Sequence, residues 1–287
     1  MKETRVLYFR LVVCFLCFWQ VFLSRGESGD QLKEWKTLER GLAVADFESS
    51  IRSQFGDSKI TIVKIDPKYY SLKLICASEH GDTKKTAKEW CKNNSLIATV
   101  NAGMFQANGI TNVGYMKNYS HLNNRKLNWY KSILAFNPVV QGIPSIQIID
   151  RECQNFENLK DKYQTLVQNI RMINCKRKNV WSQQEKQWSM VALGMDESAN
   201  VLFIFTRSPY SVHDFNGMLL SLPIAISGAM YLEGGPEASL YCNVNGSEIN
   251  KFGSFETRFN ENDDNNHAWP IPNVIGIVRK EKSHREQ

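Results

Sequence analysis

Residues 188–206, WSMVALGMDESANVLFIFT, decide the fold, because they hold two apolar runs on either side of a short polar connection. The runs are WSMVALGMD and VLFIFT, and the connection is formed by residues 197–200. Runs of this length, rich in aliphatic and aromatic residues and interrupted by small polar residues, are typical of two strands joined in a hairpin. The sequence therefore predicts an antiparallel β-hairpin here.

More strands are predicted along the rest of the chain. ITIVKI (60–65) and YYSLKLI (69–75) are β-rich and are separated by Asp66-Pro67-Lys68, which predicts a second hairpin. Further short apolar runs indicate additional strands. These runs lie at residues 96–101, 131–136, 146–149, 224–232, 238–244 and 273–280.

Helical spacing is found in fewer places. Residues 83–93 and 155–170 each carry apolar side chains at helical intervals, and an amphipathic lead-in covers residues 35–47. Ser211 as N-cap, with Asp214 three residues later, predicts a helix over residues 211–222. Because strands outnumber helices without regular βαβ alternation, the predicted fold class is α+β, a single domain with a mixed or antiparallel sheet and packed helices.

The N-terminus is typical of a secretory signal. Basic residues precede the apolar run at 11–23, and the small residues Ser24 and Gly26 follow it. The run is shorter than the roughly 20 residues that a membrane-spanning helix needs, which favours cleavage over an uncleaved N-terminal anchor. Either outcome predicts an exported protein, periplasmic or secreted, with no membrane contact beyond this segment. The predicted division is a signal at 1–26, a lead-in at 27–57, the main domain at 58–280 and a polar tail at 281–287.

The charge of the chain argues against a nucleic-acid partner. The formal charge is +6, but removal of residues 1–26 leaves 31 basic and 28 acidic residues, a charge of +3. The tight basic cluster at 176–178 has no interleaved aromatic residues, which a nucleic-acid platform would require. A solvated surface is the preferred interpretation of this cluster.

Cysteine and acidic residues give no metal pattern. The five cysteines after the signal lack CxxC spacing, so zinc is not indicated, and export would permit one or two disulfides with a leftover thiol. The run ENDDNN (261–266) lacks the terminal Glu of an EF-hand loop and is interpreted as a solvated loop. Neither a metal nor another cofactor is predicted.

Candidate site residues lie where apolar strands end. Asn101 follows LIATV and begins a loop with Gly103, Gly109 and Gly114, whose backbone could approach a ligand or simply turn. Arg171 offers a planar fork for phosphate or carboxylate, or else answers a helix dipole.

Two further candidates stand in the second half of the chain. His213 and Asp214 are adjacent, although capping alone would explain Asp214. Glu233 follows the apolar run AMYL and precedes Gly234 and Gly235, which either form a tight turn or present N–H groups to an anion. A carboxylate beside an apolar strand needs a partner or a function.

Five segments occur in an order that resembles the phosphodiester glycosidase family, over roughly residues 58–280 and closest to its bacterial exported branch. Glu233 stands where the family commonly has Asp before Gly-Gly, and Asn169, Ile170 and Arg171 follow Gln168 where many members have Gly-Pro. The segments are VNAGMF (100–105), QNIRM (168–172), WSMVALGMD (188–196), PYSVHDFNGMLLSL (209–222) and YLEGGPEASL (231–240).

The resemblance implies an exported hydrolase that cleaves the glycosidic bond of a sugar-1-phosphodiester or phosphorylated glycan. Glu233 would stabilise the oxocarbenium-like centre or activate water, and His213 or Asp214 would accept a proton. Arg171 and the glycine loops would neutralise the leaving phosphate, and Asn101 would orient a sugar hydroxyl. Gly103, Gly234 and Gly235 complete the predicted substrate contacts. The alternatives are a non-catalytic module that binds glycan or sugar phosphate, and a structural envelope protein.

Overall fold

The computed structural model of the chain describes residues 35–281. The predicted signal or anchor at 1–26 lies outside this range, as do residues 27–34 of the lead-in and 282–287 of the tail. The described helices are α1 (Ala87–Asn93) and α2 (Val212–Ser221). The strands are β1 (Lys36–Glu39), β2 (Leu42–Glu48), β3 (Lys59–Ile65), β4 (Tyr70–Cys76), β5 (Ala98–Asn101), β6 (Met116–Asn118), β7 (His121–Asn124), β8 (Ser132–Pro138), β9 (Ile146–Asp150), β10 (Tyr163–Ile173), β11 (Trp188–Asp196), β12 (Val201–Tyr210), β13 (Ile226–Gly234), β14 (Ser239–Val244), β15 (Ser247–Phe252) and β16 (Asn273–Arg279).

The strands form two antiparallel sheets. The larger has the order β1-β2-β3-β12-β11-β13-β10-β6-β7, with β8 also paired to β10 and β9 paired to β8. The smaller has the order β15-β14-β5-β16-β4. The chain passes from the larger sheet to the smaller between β13 and β14, through a 3₁₀ turn at Gly235–Glu237.

The hairpin predicted at residues 188–206 is confirmed. Strands β11 and β12 pair antiparallel from Trp188 opposite Tyr210 to Met195 opposite Val201. The other predicted hairpin has the right strands but the wrong pairing, because β3 pairs with β2 and β12 whereas β4 pairs with β16. The connection after Asp66 therefore carries the chain from one sheet to the other.

The predicted α+β class with packed helices is wrong, since the described residues form two antiparallel sheets with two short helices on them. The main cause is residues 155–170, where the sequence predicts a helix, because residues 163–170 belong to β10 and residues 160–162 form a short 3₁₀ turn. Apolar residues on β10 satisfy both spacings, and the partner strands β6, β8 and β13 decide for the strand. The lead-in at 35–47 likewise forms β1 and β2, which extend the larger sheet ahead of residue 58.

The core consists of a layer between the two sheets and one layer between each sheet and the helix on its outer face. Between the sheets, side chains such as Leu193 and Phe203 of the larger sheet pack with Val100 and Ile275 of the smaller. On the far face of the larger sheet, α2 packs through Phe215 and its neighbours. On the far face of the smaller sheet, α1 packs through side chains that include Trp90. Strands buried on both faces explain the nearly continuous apolar runs in the sequence.

The cysteines form one disulfide in the described residues, between Cys153 and Cys175. Cys76, Cys91 and Cys242 are buried free thiols. The sequence predicted one or two bridges without assigning the pairs. Within residues 35–281, neither helix has the length and apolar character needed to cross a bilayer.

Candidate active site

A pocket of about 540 Å³ lies where the chain leaves β13 for the smaller sheet. Its wall combines the glycine loop after β5, the segment before β11, the end of β13 and the loop after β15. We refer to it as the glutamate pocket because Glu233, Glu237 and Glu256 all line it. The other lining residues are Met104, Phe105, Val113, Ile170, Trp181, Lys186, Trp188, Tyr231, Gly234 and Thr257.

The pKa values of all three glutamates in the pocket are raised above the ordinary value. Burial raises the pKa of Glu233 to about 8, against the weaker effect of the Gly234 N–H, which donates to Glu233 Oε1 at 3.1 Å. The charges of Glu237 and Glu256 contribute to this raised value to a smaller extent than burial. Burial also raises the pKa of Glu237 and of Glu256. The pocket therefore holds at least one protonated carboxyl at neutral pH.

This raised pKa predicts a pH-dependent stability. Between about 4.5 and about 8 the unfolded chain loses the Glu233 proton whereas the folded protein retains it, so the free energy of unfolding should fall as pH rises through this window. The Glu233→Gln variant should lose that part of the slope. Urea unfolding at several pH values between 4.5 and 8 measures it, and equal slopes for the two proteins would contradict the raised pKa.

The glycine pair after Glu233 is required by close packing. A Cβ on Gly234 would lie 2.2 Å from Tyr231 Oη and 2.6 Å from Trp188 Cδ1. Gly235 has φ of +64°, and a Cβ there would lie 2.4 Å from Glu256 Oε2. The two glycines therefore let the backbone contact the Tyr231 and Trp188 rings at Gly234 and the Glu256 side chain at Gly235. Gly234 lines the pocket and Gly235 lies against Glu256, and the predicted contact of both with substrate stays a prediction.

Asn101 holds the segment that carries Glu237. Its side chain is buried, its Nδ2 donates to the Glu237 carbonyl at 3.0 Å, and its Oδ1 accepts from the Ser239 N–H at 2.8 Å. Both ends of the amide are engaged by backbone, so the structure gives Asn101 a positioning contact. The predicted contact with a sugar hydroxyl stays a prediction.

Gly103 lies behind the pocket wall. A Cβ there would meet Asn169 Oδ1 at 2.3 Å and Asn112 Oδ1 at 2.7 Å. Asn169 Nδ2 also donates to the Ala102 carbonyl at 2.8 Å, which fixes the start of the loop. The next two residues, Met104 and Phe105, are the ones that line the pocket. Gly103 thus lets the loop approach β10 closely.

Arg171 is engaged in ion pairs outside the glutamate pocket. Its Nη1 contacts Asp150 Oδ1 at 2.6 Å, and its Nη2 contacts Glu152 Oε2 at 2.8 Å. The Arg171 and Asp150 side chains are only 10% and 5% exposed. Arg171 lies on β10, opposite Met230 of β13, so no helix dipole is involved. Its predicted role toward phosphate stays a prediction.

His213 and Asp214 lie in the first turn of α2 and are not among the residues that line the glutamate pocket. Ser211 caps the helix as predicted, by accepting the Asp214 N–H at 3.0 Å. Burial opposes ionisation of Asp214, but hydrogen bonds from Ser211, Gln183 and His213 outweigh it and lower its pKa. The Gln183 contact ties α2 to the loop that carries Trp181. The predicted proton-acceptor role stays a prediction.

Two lysines supply the positive charge near the glutamates. Lys186 lines the pocket, and its charge favours ionisation of Glu256. The charge of Lys84 favours ionisation of Glu237. In the described residues, groups of metal-ligand side chains converge at Cys76, Glu79 and His121 and at Asp150 beside the disulfide, and the three glutamates are not such a group.

Sequence reasoning missed half of this pocket. Glu237 stands in the quoted stretch YLEGGPEASL, and the argument that selected Glu233 applied to it equally, because it too is a carboxylate among apolar residues. Glu256 and Lys186 lie in loops without a motif, and only the fold brings them to Glu233. The aromatic wall of Trp181, Trp188 and Tyr231 comes from three separate segments.

Two antiparallel sheets, with a carboxylate-lined pocket where the chain passes from one to the other, place the protein in the all-β class and give it a candidate acid–base site. The chain belongs to the phosphodiester glycosidase family, whose sequence pattern matches residues 94–278. The resemblance read from the five segments is thereby confirmed. A search of curated protein sequences found no match.

Two solved structures share the fold. The catalytic domain of zebrafish N-acetylglucosamine-1-phosphodiester alpha-N-acetylglucosaminidase, auto-inhibited by its pro-peptide, is 12% identical, with a TM-score of 0.60 and coverage of 86% of this chain and 88% of that one. A hypothetical protein from Synechocystis is 15% identical, with a TM-score of 0.61 and coverage of 86% of this chain and 64% of that one. At these identities the likeness concerns the fold alone.

Proposed function

We propose that the protein is an exported hydrolase that cleaves the bond between a sugar C1 and the oxygen of a phosphodiester. The observation that carries the proposal is the glutamate pocket, in which three carboxyls with raised pKa values meet an aromatic wall and a lysine. Glycoside hydrolysis uses paired carboxyl groups in different protonation states. The family membership agrees with this chemistry.

Glu233 serves as the protonated member of the site. A neutral carboxyl does not repel an approaching phosphodiester, whereas an ionised one would. It places a hydrogen-bond donor, and the proton that it carries, at the phosphate oxygen from which the sugar departs. The raised pKa of Glu233 keeps this proton in place at neutral pH.

Glu256 serves as the ionised member. Burial raises the pKa of Glu256, and the charge of Lys186 partly opposes that effect. Its carboxylate takes a proton from the attacking water as the water oxygen bonds to C1 and the bond from C1 to the phosphate oxygen breaks. Glu237, held by Asn101, adds negative charge beside the developing oxocarbenium centre. Lys186 also offers positive charge to the departing phosphate.

These roles predict a bell-shaped dependence of kcat/KM on pH. The alkaline limb should fall near pH 8, where Glu233 loses its proton, and the acidic limb should lie above 4.5, because the pKa of Glu256 is raised from that ordinary value. Initial rates across pH 4 to 10 on one glycosyl phosphodiester measure both limbs. Activity that continues to rise above pH 9 would contradict the role of Glu233 as the acid.

A panel of glycosyl phosphodiesters tests the function itself. The purified protein is incubated with methyl phosphodiesters of several hexoses and N-acetylhexosamines, and the released sugar is measured by mass spectrometry. Release of one or more sugars supports the proposal. Binding measured by calorimetry without release would instead indicate a glycan-binding module, and neither binding nor release would reject both.

A further inference from the structure

A group of three metal-ligating side chains lies outside the glutamate pocket, where an edge of each sheet ends. Cys76 is the last residue of β4, Glu79 ends the 3₁₀ turn that follows, and His121 is the first residue of β7. One ligand atom from each of the three lies within 4.8 Å of the other two. We refer to these residues as the ligand cluster. Because β4 is the edge strand of the smaller sheet and β7 the edge strand of the larger, the cluster connects the two sheets.

The side chains of the ligand cluster are those that Zn²⁺ prefers. Zinc is bound in proteins by Cys sulfur, His nitrogen and carboxylate oxygen, through bonds of about 2.0 to 2.3 Å in tetrahedral geometry. Such bonds place neighbouring ligand atoms roughly 3.3 to 3.6 Å apart. The present spacing of up to 4.8 Å therefore closes around one ion with small side-chain rotations.

The spacing of Cys76 and Glu79 explains why the sequence did not reveal the cluster. Two ligands three residues apart in a turn converge on one ion, as the paired cysteines of C-x₂-C zinc sites do. Residues 76–79 are CASE, so a glutamate stands where that pattern has its second cysteine. The third ligand comes from a strand 42 residues beyond Glu79 and is brought there by the fold.

Two of the ligands are already oriented by neighbouring polar side chains. Ser78 Oγ hydrogen-bonds His121 Nε2 at 2.8 Å, and Asn123 Nδ2 donates to the same Ser78 Oγ at 2.9 Å. Asn118 Nδ2 donates to the two carboxylate oxygens of Glu79 at 2.9 and 3.2 Å. Metal-binding histidines usually hydrogen-bond through one ring nitrogen and bind the ion through the other, so Nδ1 of His121 is the nitrogen left for an ion.

The cluster has a buried side and an exposed side. Cys76 is fully buried, and its Sγ contacts Met116 Sδ at 3.7 Å. His121 is half-buried and Glu79 is exposed. An ion would therefore enter past Glu79 and bind the thiol at the inner end, and a water molecule on the Glu79 side would complete four-coordination.

We propose that Cys76, Glu79 and His121 bind one Zn²⁺ ion that fastens the edge of the smaller sheet to the edge of the larger. The Cys76 thiol gives its proton to solvent as the zinc–sulfur bond forms. None of the three residues lines the glutamate pocket, so the ion stabilises the fold and takes no part in hydrolysis. The proposal does not depend on the proposed function.

Zinc titration of the purified protein without an affinity tag tests the site. After removal of metal by a chelator, one Zn²⁺ per chain should bind in competition with a chromophoric chelator. Ser78→Ala removes the orienting partner of His121 and should weaken binding roughly 10- to 100-fold, and His121→Gln should weaken it more. The matched control is His80→Gln, which removes an exposed histidine outside the cluster and should leave the affinity unchanged.

Cobalt(II) in place of zinc shows whether sulfur is a ligand. A thiolate bound to Co²⁺ gives charge-transfer absorption in the near ultraviolet, which the wild type should show and Cys76→Ala should lack. Cys91→Ala removes another buried free thiol and should keep the absorption. Because Cys76 belongs to the core, circular dichroism first establishes that Cys76→Ala is folded. His121→Gln alters no core residue and tests the site independently.

Zinc should also raise the Tm of the wild type and leave that of His121→Gln unchanged, because only the folded site binds the ion. Absence of stoichiometric zinc binding would overturn the proposal. Zinc binding that survives both His121→Gln and Cys76→Ala would do the same, and uptake of Cu⁺ without uptake of Zn²⁺ would overturn the choice of ion. None of these measurements uses a glycosyl phosphodiester, so failure of the proposed hydrolysis would leave their outcome intact.

Discussion

Replacing Glu233 by Gln is expected to lower kcat on a glycosyl phosphodiester by about 10²- to 10⁴-fold, the usual contribution of a positioned acid. The amide retains the size and neutrality of the protonated side chain but has no proton to transfer. The residual activity should also lose its alkaline limb near pH 8, because the group responsible no longer titrates. Steady-state rates at pH 6 to 9 measure both effects.

A suitable control for this substitution is Glu157→Gln. Glu157 is exposed, pairs with Lys160 and does not line the glutamate pocket. The kcat of the Glu157→Gln variant should therefore match that of the wild type. Unchanged turnover in Glu233→Gln would remove Glu233 from the chemistry and move the acid role to Glu237 or Glu256. A large loss of kcat in a variant that retains the alkaline limb would show that a group other than Glu233 causes that limb.

Replacing Arg171 by Met is expected to lower the free energy of unfolding by about 3 to 5 kcal/mol, because it leaves the Asp150 charge buried without its cation. Asp150 would keep the N–H groups of Glu152 and Cys175 as donors but would lose the contact at 2.6 Å with Arg171. Urea denaturation of the two proteins at neutral pH, with the disulfide intact, measures the difference.

The matched control for Arg171 is Arg177→Met, which breaks an exposed ion pair with Glu197. Exposed pairs contribute little, so the change there should stay within about 0.5 kcal/mol. If Arg171→Met instead kept its stability and lost activity, the cation would act on substrate, as the sequence suggested. Loss of stability with near-normal activity in the folded fraction would establish the structural role.

Strands were the readily predictable part of the fold. Residues such as Leu193 and Phe203 stand in apolar runs that indicate buried strands, whichever partner strand they pair with. Pairing was less predictable, since β3 and β4 are close in sequence but belong to opposite sheets. Tyr163, Leu166 and Ile170 satisfy a helical stripe as well as a strand, and partner strands far along the chain decide between them.

Residues of the glutamate pocket could be predicted only where they belong to a recognisable sequence motif. Glu233 and Gly234 could be found because a carboxylate and a glycine pair end an apolar run. Arg171 was assigned to phosphate because its paired carboxylate, Asp150, is 21 residues away in sequence. Glu256 and Lys186 come from loops that the two sheets bring to the pocket, so tertiary structure alone reveals them.

The central claim is that the bond between the sugar C1 and the phosphodiester oxygen breaks. Hydrolysis in water enriched in oxygen-18 tests this claim most directly. Attack at C1 leaves the original oxygen on phosphorus, so mass spectrometry of the phosphomonoester product should show no oxygen-18. Attack at phosphorus would instead place one oxygen-18 atom in that product. An unlabelled phosphomonoester is the result predicted for a glycosidase that works through the glutamate pocket, and a labelled one would show the protein to be a phosphodiesterase instead.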